Sequence, residues 1–94
     1  MTASGITKRF VVRGRVQGVG FRWFVLREAS ELRLDGFVRN QPDGSVEVLA
    51  RGSVEAVVVL ESRLAQGPST SYVESVEKEE VSHEIKLPKP FGVK

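Results

Sequence analysis

The apolar residues of this chain change their spacing in a fixed order along its length. Thr7 to Arg13 alternates with a period of two, with Phe10 and Val12 on one side and Arg9, Val11 and Arg13 on the other. Phe21, Val25, Ala29 and Leu32 then recur at helical spacing. Strand-like runs return at 37–41 and around Val46-Glu47-Val48, joined by the turn residues Pro42-Asp43-Gly44. A second helix is expected after Ser53, which can cap it, with Glu55 in its first turn and the stripe Val57, Leu60, Leu64; Gly67-Pro68 stops it. The run Val57-Val58-Val59 is β-branched and favours a strand, but cap, stop and length together outweigh it. Tyr72 to Val81 reads as a further strand, and Pro88 and Pro90 leave only a short edge strand around Phe91 and Val93.

A β-α-β-β-α-β order in 94 residues predicts an α+β domain of the ferredoxin-like split β-α-β type. Two helices lie on one face of an antiparallel sheet, with a short extra C-terminal strand at its edge. The first two strands are parallel and joined by a right-handed crossover, and the hairpin strand fits between them. Residues 1–6 are expected to form a flexible N-terminal segment and residues 7–94 the domain. The carboxyl ends of the first two strands share one edge of the sheet. That edge therefore joins residues 14–22 to Asn40.

The segment Gly14-Arg15-Val16-Gln17-Gly18-Val19-Gly20-Phe21-Arg22 lies between the first strand and the first helix. Its glycines let the backbone turn sharply and approach a ligand. No Ser, Thr, Asp or Asn among Val16 to Gly20 is available to cap the helix, so its first N–H groups need an outside partner, which an anion supplies. Arg22 sits in the first turn, where the helix dipole disfavours a cation; it makes sense there as a bidentate grip on a phosphate. The bland readings are a tight turn for the glycines, a surface arginine, turn chemistry for Asn40, solvated Arg15 and Gln17, and rim or packing roles for Trp23 and Phe24. His83 is expected as an exposed strand residue without a catalytic part, and Glu77 to Glu80 as a solvated face.

Several classes of chemistry are poorly provided for. With no cysteine and one histidine, the chain lacks a thiol nucleophile, disulfides and a recognisable set of metal ligands, so no metal and no cofactor are expected. The loop lacks the Lys-Ser/Thr ending of a nucleotide-binding P-loop. A net charge of +2 is too small to argue for a nucleic-acid partner, and residues 45–51 carry no aromatic on which a base could stack. No apolar run approaches the length of a membrane span, and residues 1–9 show no signal peptide. A cytoplasmic, monomeric protein is the expectation. What remains is positioning plus electrostatics, which can suffice for phosphoryl transfer when the leaving group needs no proton, as with the carboxylate of an acyl phosphate. Asn40 cannot act as a base, but its amide can hold and aim a water.

At these residues the chain resembles the acylphosphatase family. Two patterns carry the resemblance: GRVQGVGFR, from Gly14 to Arg22, and Gly36-Phe37-Val38-Arg39-Asn40 followed by Asp43-Gly44-Ser45-Val46 and Gly52. It covers nearly the whole chain. It implies cofactor-free hydrolysis of small acyl phosphates, with inorganic phosphate as product and inhibitor. It implies that Arg22 and the amides of Gln17, Gly18, Val19, Gly20 and Phe21 bind the phosphate and that Asn40 orients the attacking water. The alternative is a non-catalytic or specialised module binding phosphate or carbamoyl phosphate. Arg33 stands where many relatives have a glycine ending the first helix, and Gly92 weakens the closing strand; both bear on stability.

Overall fold

The structure, a computed structural model, describes residues 5–82 and 84–94. The elements are β1 (Gly5–Arg15), α1 (Phe21–Glu31), β2 (Asp35–Asn40), β3 (Val46–Ser53), α2 (Val54–Gln66), β4 (Tyr72–Glu80) and β5 (Gly92–Val93). The sheet order is β4-β1-β3-β2-β5. β3 is antiparallel to both β1 and β2, as the topology argument requires. One detail departs from the antiparallel expectation. β5 runs parallel to β2, with Phe37 opposite Gly92, so the sheet is mixed. β1 also starts earlier than its alternation suggests: Gly5 and Ile6 already pair with Ser53 and Gly52. Residues 1–4, the rest of the expected N-terminal segment, and His83 lie outside the described residues.

The period-two pattern explains the two faces of the sheet. Phe10 and Val12 of β1, Val38 of β2, and Val46, Val48 and Ala50 of β3 point toward the helices. There they meet Phe21, Val25 and Ala29 of α1 and Val57, Leu60 and Leu64 of α2, all fully or nearly fully buried. Ser53 caps α2 by accepting from the Ala56 N–H at 3.1 Å, and Gly67 ends it. Arg63 of α2 donates to Glu28 of α1 at 2.6 Å, tying the helices together.

Among the described residues no helix packs on the opposite face. Glu47, only 4% exposed, sits at its centre and accepts from Arg39, opposite it on β2, and from Arg9, diagonally across on β1. Burial pushes the Glu47 carboxyl up; the hydrogen bonds and charges of the two arginines outweigh this and hold it below the usual glutamate range. The run Glu77 to Glu80 of β4 is exposed, as expected of a solvated face, and within it Glu77 accepts from Arg13 at 2.8 Å, while Lys78 reaches Glu61 of α2 at 2.7 Å.

α1 ends in a Schellman arrangement. The Leu34 N–H reaches the Ala29 carbonyl at 3.0 Å and the Arg33 N–H the Ser30 carbonyl at 3.1 Å. This places Arg33 at φ 58°, the left-handed conformation that a glycine would adopt without strain.

Candidate active site

The glycines of the first motif divide into two kinds. Gly14, at φ 131°, sits where the β1–β4 register shifts, and a Cβ there would lie 2.1 Å from the Tyr72 carbonyl oxygen. It lets β1 stay pressed against β4 through that irregularity, since Gly14 and Arg15 remain paired with Val73 and Tyr72. Gly18 and Gly20, at φ 73° and 80°, have open space where a Cβ would stand. They turn the backbone, and their missing side chains leave it bare on the side of a cleft. Left-handed residues alternating with an ordinary one arrange successive N–H groups into an anion-binding concavity.

Gly20 is also the N-cap of α1, without a side-chain cap. The first intrahelical bond runs from Phe24 N–H to Gly20 C=O at 3.0 Å. The N–H groups of Phe21, Arg22 and Trp23 therefore have no acceptor within the helix. The first turn holds no acidic residue, so nothing in α1 competes for these donors.

Side chains around the loop set its shape. Val16 is buried in the core and pins its start. Gln17 does not point to solvent: its Nε2 donates to the carbonyls of Gln41, at 2.8 Å, and Ser45, at 2.9 Å, fastening the loop to the β2–β3 hairpin. The hairpin is itself braced, with the Asp43 carboxylate accepting from the Ser45 hydroxyl at 2.6 Å and N–H at 2.9 Å. Those bonds, the larger cause, together with Arg13 bring the Asp43 carboxyl down to about 2. On the far side, the Thr70 hydroxyl donates to the Val19 carbonyl at 2.8 Å.

A cleft of about 150 Å³ opens between loop and hairpin, lined by Gly18, Gly20, Phe21, Arg22, Trp23 and Asn40. The loop from β1 and Asn40 from the end of β2 thus meet there, as the topology predicts. Arg22 Nη1 donates to the Lys94 carbonyl at 3.2 Å, which restrains the guanidinium at the rim. Asn40 Oδ1 is buried and has no hydrogen-bond partner among the described residues. A buried carbonyl oxygen with no donor is costly, so it calls for a donor from outside the chain.

Not every expected site residue faces this cleft. Gln17 spends its side chain on the hairpin, and Val19 packs against the core; neither lines the cleft. Arg15 is exposed and does not line the cleft, while Phe24 stacks on Phe21 with ring centroids 5.8 Å apart. Trp23 is 65% exposed at the cleft rim. Thr70 was invisible to sequence reasoning, since it lies in a connection without periodicity or motif. Among the described residues no group of three His, Asp or Glu is placed to hold a metal ion, and no helix is long and apolar enough to cross a membrane. A larger groove, about 270 Å³, lies between Arg13, Asp43 and Glu74, but Arg13 and Asp43 there already pair with each other at 3.1 Å.

This is an α+β protein: a mixed sheet with two helices on one face, and at one edge of the sheet a cleft where an uncapped glycine loop meets an arginine and an amide. The acylphosphatase family model matches residues 8–92. An acylphosphatase of Koribacter versatilis is 49% identical over 87 residues, covering 93% of this chain and 79% of that one. The solved acylphosphatase of Coxiella burnetii superposes with a TM-score of 0.88 at 34% identity, over 96% of this chain and 93% of that one. The Bacillus subtilis acylphosphatase gives 0.87 at 38% identity, over 94% and 97%. The chain belongs to the acylphosphatase family of enzymes.

Proposed function

We propose that this chain hydrolyses the carboxyl–phosphate bond of small acyl phosphates, yielding a carboxylate and inorganic phosphate. The phosphoryl group docks on the bare N–H groups from Gly18 through Arg22, with the Arg22 guanidinium closing on its oxygens. These donors neutralise the charge that spreads over the equatorial oxygens as the bond to the leaving group loosens. A water held at Asn40 attacks phosphorus as the P–O bond to the acyl carboxylate breaks. The bonding pair leaves with the carboxylate, which needs no proton. The water's proton passes to a phosphate oxygen, so no base is required of the protein. Inorganic phosphate, fitting the same donors, competes with substrate.

The observation that carries this reading is Asn40 Oδ1, buried at the cleft without a partner among the described residues. It is an acceptor in search of a donor beside an array of donors in search of an anion. A water between the two satisfies both. Gln17, which sequence reasoning also placed in the phosphate set, contributes its main chain and holds the loop in position.

The test is benzoyl phosphate hydrolysis in EDTA, with Asn40→Ala alongside the unaltered protein. Turnover is expected to survive the chelator. In the variant it is expected to fall by at least about 10²–10³, the usual loss for one preorganised donor or acceptor, with inorganic phosphate still bound. A variant that turns over at a comparable rate would remove Asn40 from the mechanism. A folded wild type that binds phosphate without hydrolysis would make the chain a binding module.

A further inference from the structure

The loop that holds the phosphate has a weakness built into it. Gly18 and Gly20 both adopt positive φ, and neither carries a Cβ to bias the peptides around them. The peptide between Val19 and Gly20 is therefore free to rotate about its flanking bonds at small cost. If it turns over, the Gly20 N–H leaves the cleft and a carbonyl oxygen takes its place, facing the anion. A donor array built from glycines needs a device that fixes its peptide planes.

Thr70 supplies one. Its hydroxyl donates to the Val19 carbonyl at 2.8 Å. In a trans peptide the C=O and the following N–H point in opposite directions. Drawing the Val19 carbonyl outward to Thr70 therefore turns the Gly20 N–H the other way, and Gly20 lines the cleft. The segment that carries Thr70 is rigid enough for the task. The Ser71 N–H and hydroxyl both donate to the Pro68 carbonyl, at 3.0 and 2.8 Å, closing a tight turn. Gly67, at its start, is pressed so close to α1 that a Cβ there would lie 3.2 Å from the Phe21 ring and 2.4 Å from the Ser71 hydroxyl. The turn is thus seated against Phe21, the first helical residue.

We infer that Thr70, outside both sequence motifs, is a positioning residue of the active site: it locks the Val19–Gly20 peptide so that the Gly20 N–H stays aimed at the bound phosphoryl group. Thr70 touches neither substrate nor reacting atoms; it acts through the backbone. The inference rests on the hydrolytic reading only for its kinetic arm, because phosphate binding tests it independently.

The experiment compares the full chain with Thr70→Val, which removes the donor and keeps the shape, and Thr70→Ser, which keeps the donor. Inorganic phosphate is titrated while the Gly20 amide resonance is followed, and kcat and KM are measured on benzoyl phosphate. The donor itself remains in Thr70→Val and only its orientation is lost. Phosphate Kd and benzoyl phosphate KM are therefore expected to rise together, about three- to tenfold. The kcat should stay within about twofold, since binding of ground and transition state falls equally. Thr70→Ser should restore both constants while Thr70→Val melts near the wild-type temperature, a pattern a purely structural role does not produce. The inference is overturned if Thr70→Val binds phosphate as tightly as wild type, if Thr70→Ser fails as badly as Thr70→Val, or if kcat alone falls. A wild type that binds phosphate but leaves benzoyl phosphate intact overturns the hydrolytic reading, and the phosphate titration then decides on Thr70 alone.

Discussion

Replacing Arg33 with glycine should make this protein more stable, although it deletes a charged side chain and its stem. Arg33 closes the Schellman arrangement at the end of α1 with φ 58°. Its exposed side chain makes no hydrogen bond or ion pair among the described residues. Holding a non-glycine residue in the left-handed region costs about 1–2 kcal/mol. Glycine avoids that strain but gives the unfolded chain extra freedom, which costs about 0.4–1 kcal/mol. Taken at their midpoints, the difference is a net gain of about 0.8 kcal/mol. For a domain of this size that raises Tm by about 2–8 °C, and urea unfolding should show a higher midpoint with an unchanged slope. Arg33→Ala is the control, because it removes the side chain but keeps the Cβ that causes the strain. It should leave stability where it was. Turnover should be unaffected by either change, since Arg33 is at the end of α1 remote from Gly20, about 16 Å along an 11-residue helix. The reasoning fails if Arg33→Gly is no more stable than wild type, or if Arg33→Ala gains as much, which would trace the effect to the side chain and not to the backbone.

Gly14→Ala should unfold the protein or cost at least about 3 kcal/mol in denaturant melts. Its Cβ would meet backbone atoms of β4 at 2.1 and 2.8 Å, which cannot move without parting the strands. The Asp43 carboxyl sits at about 2 in the folded protein, below its ordinary 3.8, so its contribution to stability is complete above the ordinary value and disappears as pH falls toward 2. Glu47 titrates in the same sense. Urea midpoints measured from pH 6 to 2 should therefore fall, and the fall should be shallower in Asp43→Asn; an identical slope in the variant would refute the assignment. Arg22→Lys should lower kcat/KM at least about tenfold and weaken phosphate inhibition with it, because a point charge cannot reproduce the guanidinium fork; unchanged inhibition would dismiss Arg22 as the anchor.

The alternation of Phe10 and Val12 against Arg9 and Arg13 was sufficient to orient β1, and the cap, stripe and stop of α2 outweighed its three consecutive valines. These are local signals, and they succeeded because each agrees with the packing. The parallel setting of β5 was not legible, since two residues beside prolines carry no period that could reveal direction. In the cleft, Arg22, Asn40 and the open glycines could be read from type and order, because topology alone brings two strand ends to one edge. The side chain of Gln17 reads as solvated in the sequence and is not, for the opposite reason. Its partners are main-chain carbonyls of a distant hairpin, and a backbone acceptor has no signature in a sequence. The same blindness hid Thr70. The solvated face of Glu77–Glu80 is legible in its charge, and all four residues are exposed; the pairing of Glu77 with Arg13 of β1 is not, because it depends on which strand lies alongside.

The strands that deliver the two halves of the cleft never touch. β3 stands between β1 and β2, and its first residue, Val46, pairs with Val12 on one side and Asn40 on the other. Two ladder spacings therefore separate the end of β1 from the end of β2, about 10 Å in all. That gap sets the span between the glycine loop and Asn40, the two sides of the cleft. Were the two strands direct neighbours, the span of the cleft would narrow to about 5 Å. Its width is accordingly a property of main-chain hydrogen bonding, so substitutions on the floor can alter what lines the opening but not how far apart its walls stand.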